Sequence, residues 1–342
     1  MAERTKQEQL LDRLLEPYTE LDVRLTGIIA NYVNIGLDDD QIQSTWAHQK
    51  RVQVQTIARQ IQQEVKKLEG LDSIAQELIV QEYLKGVGVT SVDSLIGTNK
   101  QALDQMIKQL LGDLKDARLQ IVRKASDAYQ TIITQTNTGV AIGGRTRIEA
   151  ARRSLALFAD KGITAFIDAS GKQWDIRSYT EMATRTGVNN ALREGRLVNL
   201  TNNGADLIIV RTSPRYCELC SPYKDKVLSI SGQDTKHPSL DSAKANGLYH
   251  ANCRCSFTKY SRGITNVEST EAIDNTYDEE QDLRNAERYT RKWKRRLAVA
   301  TTDKDIAKAK AKIKQWRNEV TTIADDNDLV LKSNRLSNRA AR

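Results

Sequence analysis

Residues 206–232, DLIIVRTSPRYCELCSPYKDKVLSISG, and residues 247–257, GLYHANCRCSF, contain all four cysteines of the chain. The spacing is Cys-x2-Cys in the first stretch and His-x2-Cys-x-Cys in the second. A short knuckle lets two side chains reach one tetrahedral ion, and a distant second pair completes the coordination. The spacing therefore predicts a structural metal site, with zinc as the expected ion, at Cys217, Cys220, His250 and one of Cys253 or Cys255.

The same cysteines allow other interpretations. They could form two disulfides or two pairs of thiols without metal, with His250 an ordinary loop residue. The polar N-terminus, MAERTK, has the character of neither a signal peptide nor a transit peptide, so a reducing compartment is expected and disulfides are disfavoured. Five candidate ligands compete for four positions, so either one is left over or the match to a metal site is accidental.

These two stretches and the upstream run GITAFIDASGKQWDIRSYTEMATRTGVNNALREGRL, residues 162–197, resemble the signature of tailed-phage minor capsid proteins. The families concerned are the minor capsid protein 2 family and the similar phage Mu head morphogenesis proteins. The resemblance covers about residues 145–260 and leaves the terminal segments outside. The family pattern expected at the second knuckle is close to HPNCRC, and Ala251 stands here in place of the proline. This departure weakens the turn but keeps the ligand-type residues.

The resemblance implies a structural head-morphogenesis protein that acts by binding and is not an enzyme. It implies a place in few copies inside the virion, near the portal, after assembly in the cytoplasm of the bacterial host. The implied partners are the portal protein and/or the major capsid protein, and the implied role is head assembly or DNA packaging and delivery.

A zinc-dependent enzyme acting on nucleic acid, such as a nuclease of the His-Asn-His type, is the alternative, because such enzymes also set a catalytic loop between metal-binding pairs. They need a further histidine as general base, and neither His48 nor His237 lies in a motif. Four charged residues on or near one predicted helix are instead expected to form a solvated face with i,i+4 ion pairs. These residues are Arg177, Glu181, Arg185 and Arg193.

Length and composition indicate an assembly component with a thin core. A chain of 342 residues allows two or three domains, and 28% charged with only 5% aromatic residues is typical of a helix-rich protein. The expected class is α+β, predominantly α. We expect an elongated helical region over residues 1–144, a small α+β domain with the Cys/His knuckle over 145–260, and a linker with a basic helical tail over 261–342. No apolar run approaches the roughly 18 residues that a membrane span needs, so no membrane contact is expected.

Apolar residues recur every three or four positions in the N-terminal region, which predicts amphipathic helices. The predicted helices cover residues 8–35, 40–68, 72–85 and 100–134. Their stripes are expected to pack together in a bundle, with docking on a partner oligomer as the alternative. We expect residues 1–144 to contact the portal or the inner shell, and residues 145–260 to fold alone.

One proline and three glycines in this region bear on where its helices begin and end. Pro17 either kinks the first helix or marks its start. Gly139, Gly143 and Gly144 predict a break in the helical pattern and a hinge between domains. The lysine that follows the glycines of a phosphate-binding loop is missing here, so a phosphate loop is not expected.

The predicted secondary structure changes at Arg145, from long helices to a mixture of helices and strands. A helix to Lys161 is expected, followed by a hairpin with strands over 163–167 and 173–176 and a loop over 168–171. Ser178 and Glu181 have the S-x-x-E spacing of a capping box, which predicts the start of a helix running through Leu200. The remaining expected strands cover residues 206–211, 226–230 and 255–260.

The C-terminal region is basic. A linker is expected over residues 261–276, followed by a helical hairpin formed by residues 278–299 and 303–323. Residues 281–342 contain 17 Lys and Arg against 8 Asp and Glu, a net charge of +9, whereas the whole chain carries +8. Such an excess beside exposed tryptophans, Trp293 and Trp316, predicts contact with phage DNA through its phosphates. The alternative is a soluble charged helix pair without a DNA partner. The predicted DNA-binding residues are Arg291, Lys292, Lys294, Arg295, Arg296, Lys308, Lys310, Lys312, Lys314 and Arg317.

Overall fold

The computed structural model describes residues 6–38, 45–142, 145–167, 171, 173–212, 216–265, 267, 277–331 and 333–336. This part of the chain is mainly helical, with one two-stranded and one three-stranded antiparallel sheet, which confirms the predicted α+β, predominantly α class. None of the described helices combines the length and the apolar character needed to cross a bilayer.

The elements follow one another along the chain with short three-ten turns between some of them. The first are α1 (Lys6–Asn34), α2 (Trp46–Val52), α3 (Val54–Lys66), α4 (Asp72–Val87), α5 (Gly97–Ala141), α6 (Arg147–Lys161), β1 (Thr164–Ile167) and β2 (Gln173–Asp175). The rest are α7 (Ile176–Asn202), β3 (Leu207–Arg211), β4 (Val227–Ser229), α8 (Leu240–Ala245), β5 (Ser256–Lys259), α9 (Tyr277–Ala298) and α10 (Asp303–Asp326).

The chain forms two compact units. The first contains Met1–Asp72, Leu114–Thr180 and Asp282–Arg342, and the second contains Ser73–Asp113 and Glu181–Gln281. Each unit thus combines stretches from all three predicted domains. Independent folding of residues 145–260 stays a prediction, since it is a property of the isolated segment.

In the first unit, α1 buries the predicted apolar stripe, with Leu14, Leu25 and Ile29 inaccessible to solvent. The chain itself covers this stripe, so the packing interpretation is confirmed for α1. Pro17 lies well inside the helix, and the interpretation that it marks the helix start is therefore wrong. The predicted helix over residues 40–68 is described from residue 45 onward as α2 and α3, which meet at Gln53.

The predicted break follows Gly139, because α5 continues through this residue to Ala141 and α6 begins at Arg147. A Cβ added at Gly139 would lie 3.1 Å from the Ala150 Cβ of α6. The absence of a side chain at Gly139 therefore permits the close approach of the two helices, and the hinge between domains stays a prediction. Gly143 and Gly144 lie outside the described residues.

The short sheet of the first unit joins β1 to β2, with Thr164 opposite Asp175 and a bulge before Phe166. Apart from Gly171, the predicted hairpin loop lies outside the described residues. The predicted Ser178–Glu181 capping box is wrong: α7 begins at Ile176, and the Ser178 N–H donates to the Asp175 carboxylate over 2.8 Å. Asp175 is therefore the residue that caps the helix.

The predicted C-terminal hairpin is confirmed as α9 and α10, which share a small core that includes Leu283, Ala286 and Val320. Neither tryptophan is exposed, which corrects that part of the prediction: both are half-buried. Trp316 stacks on Tyr289 with 4.4 Å between ring centroids. Residues 266 and 268–276 of the predicted linker lie outside the described part of the chain.

In the second unit, α4 and α7 touch backbone to backbone. A Cβ on Gly195 would collide with the Tyr83 carbonyl oxygen and lie 3.0 Å from the Gly86 Cα, and one on Gly86 would lie 2.5 Å from the Leu192 carbonyl oxygen. Only two glycines facing each other permit this separation. This crossing holds α7 in place as a platform for the rest of the unit.

The three-stranded sheet has the order β4-β3-β5, and both pairings are antiparallel. Ile208 of β3, Leu228 of β4 and Phe257 of β5 are buried in one apolar cluster together with Cys220, Cys253 and Cys255. All three strands were predicted, and their positions are confirmed within one or two residues. The cysteine loops thus leave from, and return to, the ends of this sheet.

Candidate metal centre

The first knuckle is a tight turn between β3 and β4. The backbone N–H groups of Cys220 and Ser221 both donate to the Cys217 carbonyl oxygen over 3.0 Å. Pro222 then continues a single three-ten turn, for which its fixed φ is suited. This local geometry places both thiols on one side of the loop, with Cys220 buried and Cys217 half-buried.

The second knuckle precedes β5. Cys253 N–H donates to the His250 carbonyl oxygen over 3.0 Å, so the turn closes although Ala251 stands in place of a proline. Tyr249 and Asn252 have positive φ values of 61° and 67°. Asn tolerates this left-handed region better than most residues, which explains its place in the turn.

The two knuckles meet side chain to side chain. Cys217 Sγ lies 3.0 Å from His250 Nε2, and Cys220 Sγ lies 3.5 Å from Cys253 Sγ. Cys217, Cys220 and His250 form one group with all ligand atoms within 4.8 Å, and Cys220, Cys253 and Cys255 form another. Ligands around tetrahedral zinc lie roughly 3.5–3.8 Å apart, given Zn–S and Zn–N bonds of about 2.3 and 2.0 Å. Within each group the ligand atoms are therefore close enough to hold a metal, and Cys220 is the residue that the two groups share.

The imidazole of His250 is oriented for ligation. Its Nδ1 lies 2.7 Å from the Ala251 carbonyl oxygen, which can only accept a hydrogen bond. Nδ1 therefore carries the proton, and the lone pair of Nε2 points towards Cys217. This is the tautomer that a metal-binding histidine adopts when a backbone carbonyl holds its other nitrogen.

The four cysteines are thiols and not disulfides. The Sγ atoms of Cys220 and Cys253 lie 3.5 Å apart, far longer than the roughly 2.05 Å of a disulfide bond. The Cys220 hydrogen bond, followed by that of Cys255, lowers the pKa of the Cys253 thiol. Metal ligation requires the thiolate form of every coordinating cysteine, so a lowered thiol pKa favours it.

One face of α7 holds the second knuckle by hydrogen bonds to its backbone and to Asn252. Arg185 donates to Asn252 Oδ1 over 2.9 Å, and Asn252 N–H donates to Thr186 Oγ1 over 2.8 Å. Asn189 donates to the Cys253 carbonyl oxygen over 2.8 Å. These partners satisfy polar groups of the turn and fix its shape before any ion binds.

Arg193 also supports the second knuckle, and it places a positive charge beside the cysteines. Its guanidinium donates to the carbonyl oxygens of Cys253 and Cys255 over 2.8 and 3.1 Å and lies over the Tyr249 ring at 4.4 Å. Burial lowers the pKa of Arg193, while the neighbouring thiols oppose that shift. A centre of three thiolates, one neutral imidazole and a divalent ion carries one negative charge, which a buried guanidinium offsets.

The predicted solvated face on α7 is therefore wrong. Arg177, Arg185 and Arg193 are all buried, although the expected i,i+4 pair between Glu181 and Arg185 does form. The spacing of Arg185, Asn189 and Arg193 every four residues is visible in the sequence. Nothing local shows that this polar stripe faces a cysteine loop about 60 residues further along the chain, so sequence reasoning missed its role.

The other two histidines lie elsewhere. His237 Nδ1 lies 3.1 Å from an Asp234 carboxylate oxygen, and His48 belongs to α2 in the other unit. Of the three histidines, His250 alone belongs to a ligand group in the described part of the chain. The nuclease interpretation needs a second histidine at the metal, and the described part of the site does not supply one.

The predicted DNA-binding residues of α9 lie in contacts within the first unit. Arg295 donates to Asp22 over 2.6 Å and to the Ala159 carbonyl oxygen over 2.8 Å, and the side chain is buried. Arg296 holds Asp160 with two hydrogen bonds, and Lys292 lies 3.4 Å from the same carboxylate.

The remaining two basic residues of this set are also buried. Arg291 lies 3.8 Å from Asp175, and Lys294 donates to the Leu336 carbonyl oxygen over 2.8 Å. Burial lowers the pKa of Lys294 to about 8, with smaller contributions from neighbouring arginines. Most of the positive charge of α9 is therefore engaged in contacts within the first unit.

On α10 the predicted residues are more accessible: Lys308, Lys310, Lys314 and Arg317 are exposed, and Lys312 is half-buried. Each residue turns the helix by 100°, so successive members of the series 308, 310, 312 and 314 point to opposite sides. Lys308 and Lys312 share one side, and Lys310, Lys314 and Arg317 share the other. The structure thus divides the lysine series into two rows.

Fold and site together define a mainly helical protein in which a Cys/His cluster brings together two loops of a small antiparallel sheet. The family model for phage minor capsid protein 2 matches residues 3–324. The chain belongs to this family and is a structural protein of the phage head and of the virion. The match extends the resemblance predicted for residues 145–260 to nearly the whole chain. No curated protein and no solved structure matches it.

Proposed function

We propose that this protein acts inside the phage head, near the portal, where it binds the portal protein and/or the major capsid protein during head assembly or DNA packaging and delivery. The observation that carries this proposal is the family match over residues 3–324. Residues 1–144 carry the docking contact, and the mechanism is binding without turnover.

Cryo-electron microscopy of intact heads tests the location. Density for the helices of this chain next to the portal is expected, and heads assembled without it should lack that density. Density found only on the outer shell would contradict the proposal. Incubation of the purified protein with plasmid and Mg²⁺ or Zn²⁺ tests the absence of turnover, since cleavage at a rate above that of the metal alone would indicate a nuclease.

The metal of this protein is zinc, bound by Cys217, Cys220, His250 and Cys253, with Cys255 left over. Cys253 is supported as the fourth ligand because it contacts Cys220 at 3.5 Å and receives the Cys255 N–H on its sulfur over 3.3 Å. Such backbone donors to a sulfur ligand orient it and moderate its charge. The ion links β3, β4 and β5 and so contributes directly to folding.

The C-terminal hairpin also contacts phage DNA through phosphates, without base recognition. The net charge of +9 over residues 281–342 supports this. Since most basic side chains of α9 are held by carboxylates or backbone carbonyls, α10 supplies the exposed contact. We assign it to the row formed by Lys310, Lys314 and Arg317, all three of which are exposed.

A further inference from the structure

A cavity of about 260 Å³ lies in the first unit, where the ends of α6 and β2 meet one face of α9. The α9 residues that line it include Arg288, Arg291, Lys292 and Arg295. They follow one another at steps of three, one and three, which places all four on the same side of the helix. The cavity is large for one water, whose share of liquid volume is about 30 Å³, and it accommodates a tetrahedral oxyanion.

The cations around this cavity outnumber the carboxylates. Lys161 of α6 adds a fifth basic side chain, against the two carboxylates of Asp160 and Asp175. Two residues outside the lining form ion pairs with it: Arg296 pairs with Asp160, and Asp22 pairs with Arg295. These six cations and three carboxylates leave an excess of three positive charges among the described residues.

The excess is concentrated at the mouth of the cavity. Arg288 and Lys161 are exposed there, and Arg288 donates to the neutral side chain of Asn285. Although the residue as a whole is exposed, partial desolvation of its guanidinium, followed by the positive charge of Arg291, lowers the pKa of Arg288, while the carboxylates of Asp175 and Glu287 oppose the shift. Like charges held together in a partly desolvated site repel one another, and an anion between them relieves that repulsion.

We propose that this cavity binds a phosphate group, supplied either by the DNA backbone or as a free phosphate. A guanidinium group can donate two parallel hydrogen bonds to phosphate oxygens, and three of the five cations that line the cavity are arginines. The exposed edge of Tyr289 at the rim leaves room for the remainder of a larger ligand. This site is separate from the metal centre and from the exposed row of α10.

Titration of the full-length protein with inorganic phosphate, followed by calorimetry, tests the first source. Fluorescence anisotropy with a short labelled DNA duplex at low salt tests the second. Arg288→Gln and Lys161→Gln change exposed residues and leave the buried ion pairs intact. Arg153→Gln, an exposed position of α6 outside the cavity, removes the same charge and serves as the control.

Each cavity variant is expected to weaken binding of the phosphate-containing ligand by about tenfold, the effect of one lost charge-assisted hydrogen bond, while the control changes it little. Weaker duplex binding identifies the DNA backbone as the source, and weaker binding of inorganic phosphate with unchanged duplex binding identifies a free phosphate. The proposal is overturned if neither ligand binds, or if the cavity variants and the control behave alike while unfolding at the same temperature.

Discussion

At the scale of single residues, the candidate metal centre separates proposed ligands from the residues that support them. Cys217, Cys220, His250 and Cys253 present ligand atoms across the two knuckles, whereas Arg193 and Asn189 hold the carbonyl oxygens behind them. The side chain of Cys255 is buried in the same cluster, and in the proposed ligand set it is the residue left over. This division leads to a direct comparison of two cysteine variants.

Cys217→Ser is expected to abolish binding of about one zinc per chain, because a closed structural site needs all four ligands. Cys255→Ser should retain the zinc, since it removes a sulfur that the site does not use. Elemental analysis of freshly purified, reduced proteins measures both. Equal zinc loss in the two variants would assign Cys255 to the ligand set, and a wild-type protein without metal would refute the zinc site.

At the scale of elements, the crossing of α4 and α7 fixes the position of α7, which carries the residues that support the candidate metal centre. Gly86 and Gly195 bring the two backbones into contact, and neither position has room for a Cβ. Elsewhere a glycine inside a helix only weakens it, by up to about 1 kcal/mol relative to alanine. The same substitution is therefore expected to have opposite effects at two glycines of the second unit.

Gly195→Ala is expected to destabilise the protein by about 1–3 kcal/mol, because overpacking separates the helices. Gly112→Ala in α5, where an added Cβ meets nothing within 4 Å, should stabilise by up to about 1 kcal/mol. Urea denaturation of both variants measures the change in the free energy of unfolding. A stabilising Gly195→Ala would show that the close crossing is not present in solution.

The two rows of α10 provide a second test at this scale. Replacing Lys310 and Lys314 with Gln is expected to weaken binding to all duplex sequences alike and to reduce the salt slope by roughly one unit per lost phosphate contact. Replacing Lys308 and Lys312 with Gln changes the charge equally on the opposite side and is the control. Fluorescence anisotropy across a salt series measures both. Equal losses in the two double variants would show that charge alone, and not the assigned row, governs binding.

At the scale of the whole molecule, the two units depend on different interactions. The first unit is joined by ion pairs distant in sequence, such as Arg295 with Asp22 and Arg118 with Asp72, together with its apolar core. In the second unit, the apolar core between the sheet and the cysteine loops is small, and the proposed zinc adds a further connection between them. Removal of metal should therefore affect the units unequally.

Chelation of the metal is expected to increase hydrogen exchange throughout residues 205–260, because structural zinc binding is coupled to folding. The amides of α1 and α9 in the first unit should keep their protection. Hydrogen-exchange mass spectrometry before and after chelation measures both regions in one sample, so α1 and α9 act as the internal control. Unchanged exchange in β3, β4 and β5 would mean that the metal does not support the sheet.

The sequence by itself determined the features that depend on near neighbours. The helix stripes, the three strands around the cysteine loops and the two knuckles all follow from residue spacing within a few turns or strand lengths, and the knuckles already contained the five candidate ligands. The position of a helix cap did not follow from local spacing alone. Ser178–Glu181 matches a capping box, yet Asp175 caps α7, because the strand before it delivers that carboxylate to the first turn.

Only the tertiary structure decided which charged groups remain available to a partner. Arg295 and Asp22 are 273 residues apart, and Arg193 and Cys253 are 60 apart, so no local pattern shows that either arginine is buried and engaged. A run of basic residues has the same appearance in sequence whether it faces water or carboxylates. Desolvation and pairing distinguish the two cases, and both depend on what the folded chain brings alongside.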